Sequence, residues 1–104
     1  MNKIVDTPEP PYYAVIAPAE LSKNIDGYGE MALKMIELAK EQPGFLGIET
    51  AIMGDFVMAV SYWESMEAID GWKNNARHLA VKNTAKERWF SRYLTRIAKV
   101  EACY

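Results

Sequence analysis

The residues best suited to chemistry cluster in one stretch, SYWESMEAIDGWKNNARH at 61–78. It holds two of the three tryptophans and the only histidine of a 104-residue chain. An imidazole titrates near neutral pH and suits the transfer of a proton between a substrate and its surroundings. An indole six residues earlier, Trp72 before His78, offers a flat apolar wall against which a planar molecule can stack. Each has a plainer role open to it: Trp72 as a core aromatic on the apolar stripe of a short helix, His78 as a structural residue at a helix junction. In favour of a site, His78 shares a helical face with Val81, Ala85 and Trp89. Tyr13, Tyr62, Trp63 and Trp89 are the further candidates for contact with a bound small molecule, with packing of the sheet as the alternative for each.

Other chemistries lack their residues. Metal sites combine several His, Cys or carboxylate ligands at close spacing. Here there is one His, one Cys (Cys103, beside the C-terminus), and no carboxylate near the His in sequence. No metal is expected. Gly27 and Gly29 precede Glu30 and have neither a preceding strand nor a following Lys-Ser/Thr, so no phosphate loop is expected. No nucleophile elbow is present. The expected chemistry therefore uses no metal and no organic cofactor.

The elements that must carry these side chains follow from periodicity. TPEPP at 7–11 is a stiff, extended leader. YYAVIA at 12–17 reads as a strand ended by Pro18, with Tyr12 and Tyr13 on opposite faces. From Ile25 to Lys40, apolar residues recur at steps of three and four, predicting a helix capped by Asn24 and stopped before Pro43-Gly44. FLGIETAIM (45–53) and FVMAVSYW (56–63) are two strands joined by Gly54-Asp55, a pair suited to a tight primed hairpin turn. Neither face of the second strand is polar, so one face needs a cover beyond the chain's own helices, and pairing of two copies provides it. Ser65 is the expected N-cap of a helix over 66–76, with Met66, Ile69 and Trp72 inward. A second helical stretch is expected from about His78 to Arg92, and a last strand over 94–102 with Leu94, Ala98 and Val100 on the side that Arg96 interrupts. The predicted order is βαββααβ: an α+β, ferredoxin-like fold with a four-stranded antiparallel sheet and helices on one face.

Composition limits the partners. Half of the residues are apolar and a quarter charged, as in a globular domain, and the net charge is −2. That charge gives no general attraction to phosphate backbones or anionic lipid, so neither nucleic acid nor membrane is expected as a partner. No window approaches the about 20 apolar residues of a membrane span. MNKIVDTPEPPYY does not read as a signal peptide, and a single Cys indicates no disulfide scaffold. One domain over 1–104 with an extended leader, in the cytoplasm, is the expectation.

QPGFLGIET (42–50), SYWESMEAIDGWKNNARH (61–78) and RYLTRIAKVE (92–101) together resemble the antibiotic biosynthesis monooxygenase-like domains of the dimeric α/β-barrel superfamily. The resemblance runs from about Tyr12 to Val100. It implies a homodimer whose sheets meet face to face as a barrel, and a pocket in each subunit between sheet and helices. It also implies a choice of activities: cofactor-independent monooxygenases that oxidise polycyclic phenols to quinones, or haem-degrading monooxygenases. The haem-degrading branch uses an Asn on the first strand, a Trp on the short helix and a His further on. Trp72 matches that Trp, but YYAVIA has no Asn and the His position aligns with Lys82, which disfavours haem degradation. Two functions follow as expectations. One is an oxidoreductase, a cofactor-independent monooxygenase of a hydrophobic, aromatic or polyketide-like molecule, with His78 and Trp72 catalytic and Tyr13, Tyr62, Trp63 and Trp89 binding substrate. The other is a dimeric barrel that binds a small molecule or haem without turnover.

Overall fold

The structure, a computed structural model, describes residues 4–82 and 89–104, and for 77–82 only the course of the backbone. Among the described residues seven elements follow one another: β1 (Tyr12–Leu21), α1 (Tyr28–Lys40), β2 (Phe45–Met53), β3 (Phe56–Trp63), α2 (Met66–Lys82), β4 (Phe90–Tyr93) and β5 (Arg96–Val100). The fold is α+β and ferredoxin-like, an antiparallel sheet in the order β2-β3-β1-β4, with β5 also paired to β1. The sheet has five strands by count, but β4 and β5 lie in tandem along one side of β1. β5 pairs with Tyr12–Ile16 and β4 with Ala19–Leu21.

That break explains where the first strand was expected to end. β1 does not stop at Pro18 but runs through it to Leu21. The Leu94 N–H donates to the Pro18 carbonyl at 3.1 Å, so the backbone of Pro18 faces the β4–β5 side. Its missing N–H therefore points at the interruption between the two short strands, where no ladder bond is lost.

The middle of the chain follows its pattern closely. β2 and β3 have the expected bounds, and Gly54 between them has φ 60°, the positive value a primed turn requires of its first residue. Ser65 caps α2 by accepting a hydrogen bond from the Ala68 N–H at 3.1 Å. α1 starts later than predicted. Its N-cap is Gly27, left-handed at φ 84°, while Asn24 accepts from the Asp26 N–H at 3.3 Å in the preceding turn. A short polar side chain that satisfies the backbone locally favours a turn over a helix start.

The second half of the chain corrects two further expectations. α2 is continuous across 76–78, because Ala76-Arg77-His78 contains no helix breaker. The far end of the predicted second stretch is not helix: Phe90–Tyr93 is a strand. Positions 83–88, including Ala85 of the predicted face, lie outside the described residues.

The core sits between sheet and helices. Val15, Ala39, Trp63 and Ile69 form its buried centre, with Tyr13, Phe45, Ala68 and Trp72 packed against it. Trp63 is fully buried; its Nε1–H donates to Ser61 Oγ at 2.8 Å, so neither polar group is stranded. The opposite face of the sheet carries Ile16, Met58, Val60, Ala51, Met53 and Phe56, as the strand register requires. Met53 and Phe56 are exposed there at 81% and 41%.

The leader covers one end of this outer face. The Val5 N–H donates to Glu49 Oε2 at 3.0 Å, and Thr7 Oγ1 donates to the Tyr12 hydroxyl at 2.9 Å. Tyr12 meets Tyr62 edge to face with centroids 5.9 Å apart, and is buried beneath the leader.

Candidate active site

Two cavities adjoin on the helix side of the sheet. The larger, about 470 Å³, lies between β1 and α2, with Val15, Ile69, Trp72, Lys73, Ala76 and Ile97 among its lining residues. The smaller, about 290 Å³, lies toward α1 and β4 and is walled by Tyr28, Met31, Trp89 and Phe90. Ala17, Met35, Tyr93 and Thr95 line both. These volumes fall in or near the range of small-molecule sites, which are mostly apolar with a few placed polar groups.

Each wall has a local cause. Alternation along β1 sends Tyr13, Val15, Ala17 and Ala19 toward the helices, and the small Ala17 and Ala19 leave the space that the cavities occupy. Ile69, Trp72, Lys73 and Ala76 recur at steps of three and four, so one stripe of α2 forms a wall. Trp89 is buried and held from two sides: its Nε1–H donates to the Asp26 carbonyl at 2.8 Å, and the Ser22 N–H donates to its carbonyl at 2.7 Å. Tyr28 packs edge-on to both Trp89 and Phe90, at 5.9 and 5.7 Å.

The expected site residues separate into three groups. Trp72 and Trp89 line the cavities, at opposite ends. Trp63 and Tyr13 stand behind them, Trp63 stacked on Trp72 with centroids 5.9 Å apart and Tyr13 packed on the same core. Tyr62 is a correction. Its position in β3 puts it on the outer face, where its hydroxyl donates to Glu49 Oε1 at 2.5 Å, so it does not line the cavity. Burial, with the Glu49 bond and charge behind it, pushes the Tyr62 phenol up to about 12.

His78 lies on α2, and its side chain is outside the described residues. Sequence reasoning missed Tyr28, Met35, Lys73, Tyr93 and Thr95 as lining residues. The helical steps through Ile69 and Trp72 were the available signal for Lys73. For Tyr93 and Thr95 there was none, because the strand break that positions them depends on pairing with β1.

Electrostatically the cavity wall is quiet. Among the described lining residues Lys73 is the one charged group, and burial raises the Tyr28 phenol above its ordinary value, keeping it neutral. The described residues contain no group of three or more metal-ligating side chains. No described helix is long and apolar enough to cross a membrane.

The chain is an α+β, ferredoxin-like domain with an aromatic-walled cavity beneath its helices, and comparison with known proteins narrows the class. Residues 22–84 match the family described as antibiotic biosynthesis monooxygenase. The chain is also 46% identical over 102 residues to YqjZ of Bacillus subtilis (strain 168), named an uncharacterized protein; the match covers 97% of this chain and 90% of that one. Among solved structures it is similar to SnoaB of Streptomyces nogalater, described as a cofactor-independent oxygenase. The TM-score is 0.68 at 10% identity, covering 91% of this chain and 96% of that one. PA3566 of Pseudomonas aeruginosa is similar with a TM-score of 0.68 at 12% identity, covering 93% and 99%. At such identities the solved structures establish the shared fold. This chain belongs to the antibiotic biosynthesis monooxygenase family.

Proposed function

We propose that the protein is a cofactor-independent monooxygenase whose substrate is a hydrophobic, aromatic small molecule seated in the helix-side cavity. The observation that carries this reading is the cavity itself: an apolar space with Trp72 at one end and the Tyr28–Trp89–Phe90 cluster at the other. Loss of a phenolic or activated C–H proton leaves an electron-rich substrate anion, and that anion reduces dioxygen directly. In this reading His78, the chain's one imidazole, takes the proton. The His78→Ala variant decides that role.

Oxygen consumption with a panel of anthrones and hydroquinones tests the function. Turnover that falls by two orders of magnitude or more in Trp72→Ala supports the cavity as the site. Turnover unchanged in His78→Ala removes His78 from the mechanism and leaves solvent as the proton acceptor. The same apolar, aromatic-walled cavity also suits a second reading, a binding protein that holds its ligand without turnover. Saturable binding of these compounds with no oxygen uptake is its signature.

We further infer a homodimer formed through the outer face. Ile16, Met53, Phe56, Met58 and Val60 make that face apolar, and a twofold pairing of sheets would bury it. Sedimentation equilibrium at micromolar concentration is expected to give twice the chain mass of 11.8 kDa. A mass of one chain contradicts the dimer and leaves the cavity reading intact.

A further inference from the structure

The two cavities lie in a line along β1, and this order carries an inference on the reading that together they are the substrate site. The inward positions of β1 pass from Ala19, which lines the smaller cavity, through Ala17, which lines both, to Val15, which lines the larger. α1 repeats the transition: Met31 lines the smaller cavity, and Met35, one turn on, lines both. Strand and helix therefore place the boundary at the same point, with Ala17 on the sheet and Met35 on the helix. Trp89 and Trp72 stand at the outer ends. From Ala19 to Val15 the strand advances about 13 Å, at roughly 3.3 Å per residue. An apolar cavity of about 150 Å³ already holds a benzene molecule. Each compartment, at about 290 and 470 Å³, has room for a ring or a short chain of its own.

We propose that the two cavities are compartments of one site for an elongated apolar molecule, and that Ala17 and Met35 form the waist that determines how long a molecule it accepts. Ala17 places a single methyl at the boundary, and each carbon added there would enter the passage. Met35 supplies the adjustable side. It is partly buried and unbranched, and a flexible thioether chain of this kind fills irregular gaps. Rotation of its side chain narrows or widens the passage without movement of the backbone. A molecule confined to one compartment gains nothing from the wall of the other, whereas one that passes the waist touches both. Each methylene moved from water to an apolar wall improves binding about fourfold. The length that the waist admits therefore sets the selectivity.

A series of linear alcohols, hexan-1-ol to decan-1-ol, serves as a ruler on the whole protein without requiring turnover. Each is titrated against the isotope-labelled protein, and affinity is read from the indole N–H signals of Trp72 and Trp89. The wild type is expected to bind each longer alcohol about fourfold more tightly, through decan-1-ol. Ala17→Val, a change that a strand accepts, should end that rise early, so that the decanol-to-hexanol affinity ratio falls about tenfold. Met35→Phe, which narrows the passage from the helix side, should lower the ratio likewise, and Met35→Ala added to Ala17→Val should restore it. Binding of hexan-1-ol by each variant shows that the fold persists. A ratio unchanged in both narrowing variants, or a lowered ratio that Met35→Ala fails to raise, overturns the waist. A wild type that binds decan-1-ol no more tightly than hexan-1-ol overturns the joined site while the cavity reading stands. Alcohols that move neither indole signal overturn the cavity reading, and this proposal with it.

Discussion

The indole of Trp72 stacks on that of Trp63, centroids 5.9 Å apart and planes 21° from parallel, joining the middle of α2 to the last residue of β3. One face of Trp72 is thereby fixed against the core and the other is turned to the cavity. A wall that must hold a planar molecule has to be rigid, and here the fully buried Trp63 behind it supplies the rigidity.

Trp72→Ala should therefore affect stability and binding together. Loss of a stacked pair costs about 1 kcal/mol beyond the area it buries, and the lost burial of a partly buried indole adds about as much again. A fall of about 2 kcal/mol in urea unfolding is expected, along with weakened binding of aromatic ligands. Trp63→Ala, at a position with no exposure, should cost more, about 3–5 kcal/mol. Equal losses for the two variants would contradict the order of burial.

On the outer face, the Tyr62–Glu49 bond makes stability sensitive to alkali. The folded phenol titrates near 12 and an unfolded one near 10.0, so the fold favours the neutral form. This contribution is fully present below about pH 10 and is lost as pH rises through about 12. Tyrosinate absorbance should reveal Tyr62 titrating late, with Tyr28 also raised by burial, and Glu49→Gln should shift Tyr62 back toward 10. The carboxylate is only part of the cause, so some elevation from burial should persist. A Tyr62 that titrates with the other tyrosines would contradict the bond.

Two glycines of β2 and its entry should respond differently to the same substitution. A Cβ on Gly44, which has φ 85°, would lie 2.6 Å from the Ala68 Cβ on α2. Gly44→Ala therefore combines left-handed strain with displacement of a helix, and about 3 kcal/mol of destabilisation is expected. A Cβ on Gly47 would instead overlap the side chain of Val5, in the leader. Gly47, at φ 157°, also has a backbone conformation that a side chain rarely adopts, so Gly47→Ala should cost about 1–3 kcal/mol, lift the leader and speed hydrogen exchange of the Val5 amide. An unchanged Val5 amide in Gly47→Ala, or a Val5 amide sped equally by Gly44→Ala, would contradict this arrangement.

How far the sequence was legible follows from which interactions are local. Gly54-Asp55 fixed the β2–β3 hairpin, and Ser65 fixed the start of α2, because turn and cap chemistry act within a few residues. Phe90–Tyr93 read as helix because its strand character comes from pairing with residues 19–21, some seventy positions away. Pro18 read as a strand end for the same reason: the gap opposite it belongs to Leu94 and Thr95. The cavity inherits this division. Trp72 was legible from the stripe of its own helix, whereas Tyr93 and Thr95 depend on that distant gap. That Tyr62 faces away from the cavity was not legible, because alternation gives two faces but does not say which one the helices cover.

The central claim is that the space between β1 and the helices is the ligand site, and chemical-shift mapping tests it most directly. Titration of the isotope-labelled protein with alizarin should shift backbone amides of Ala17, Met35, Trp72, Ala76 and Thr95, which line the cavities, and leave those of Ala51, Met53 and Met58 on the outer face in place. Shifts confined to the outer face, with the cavity amides unmoved at saturation, would contradict the account.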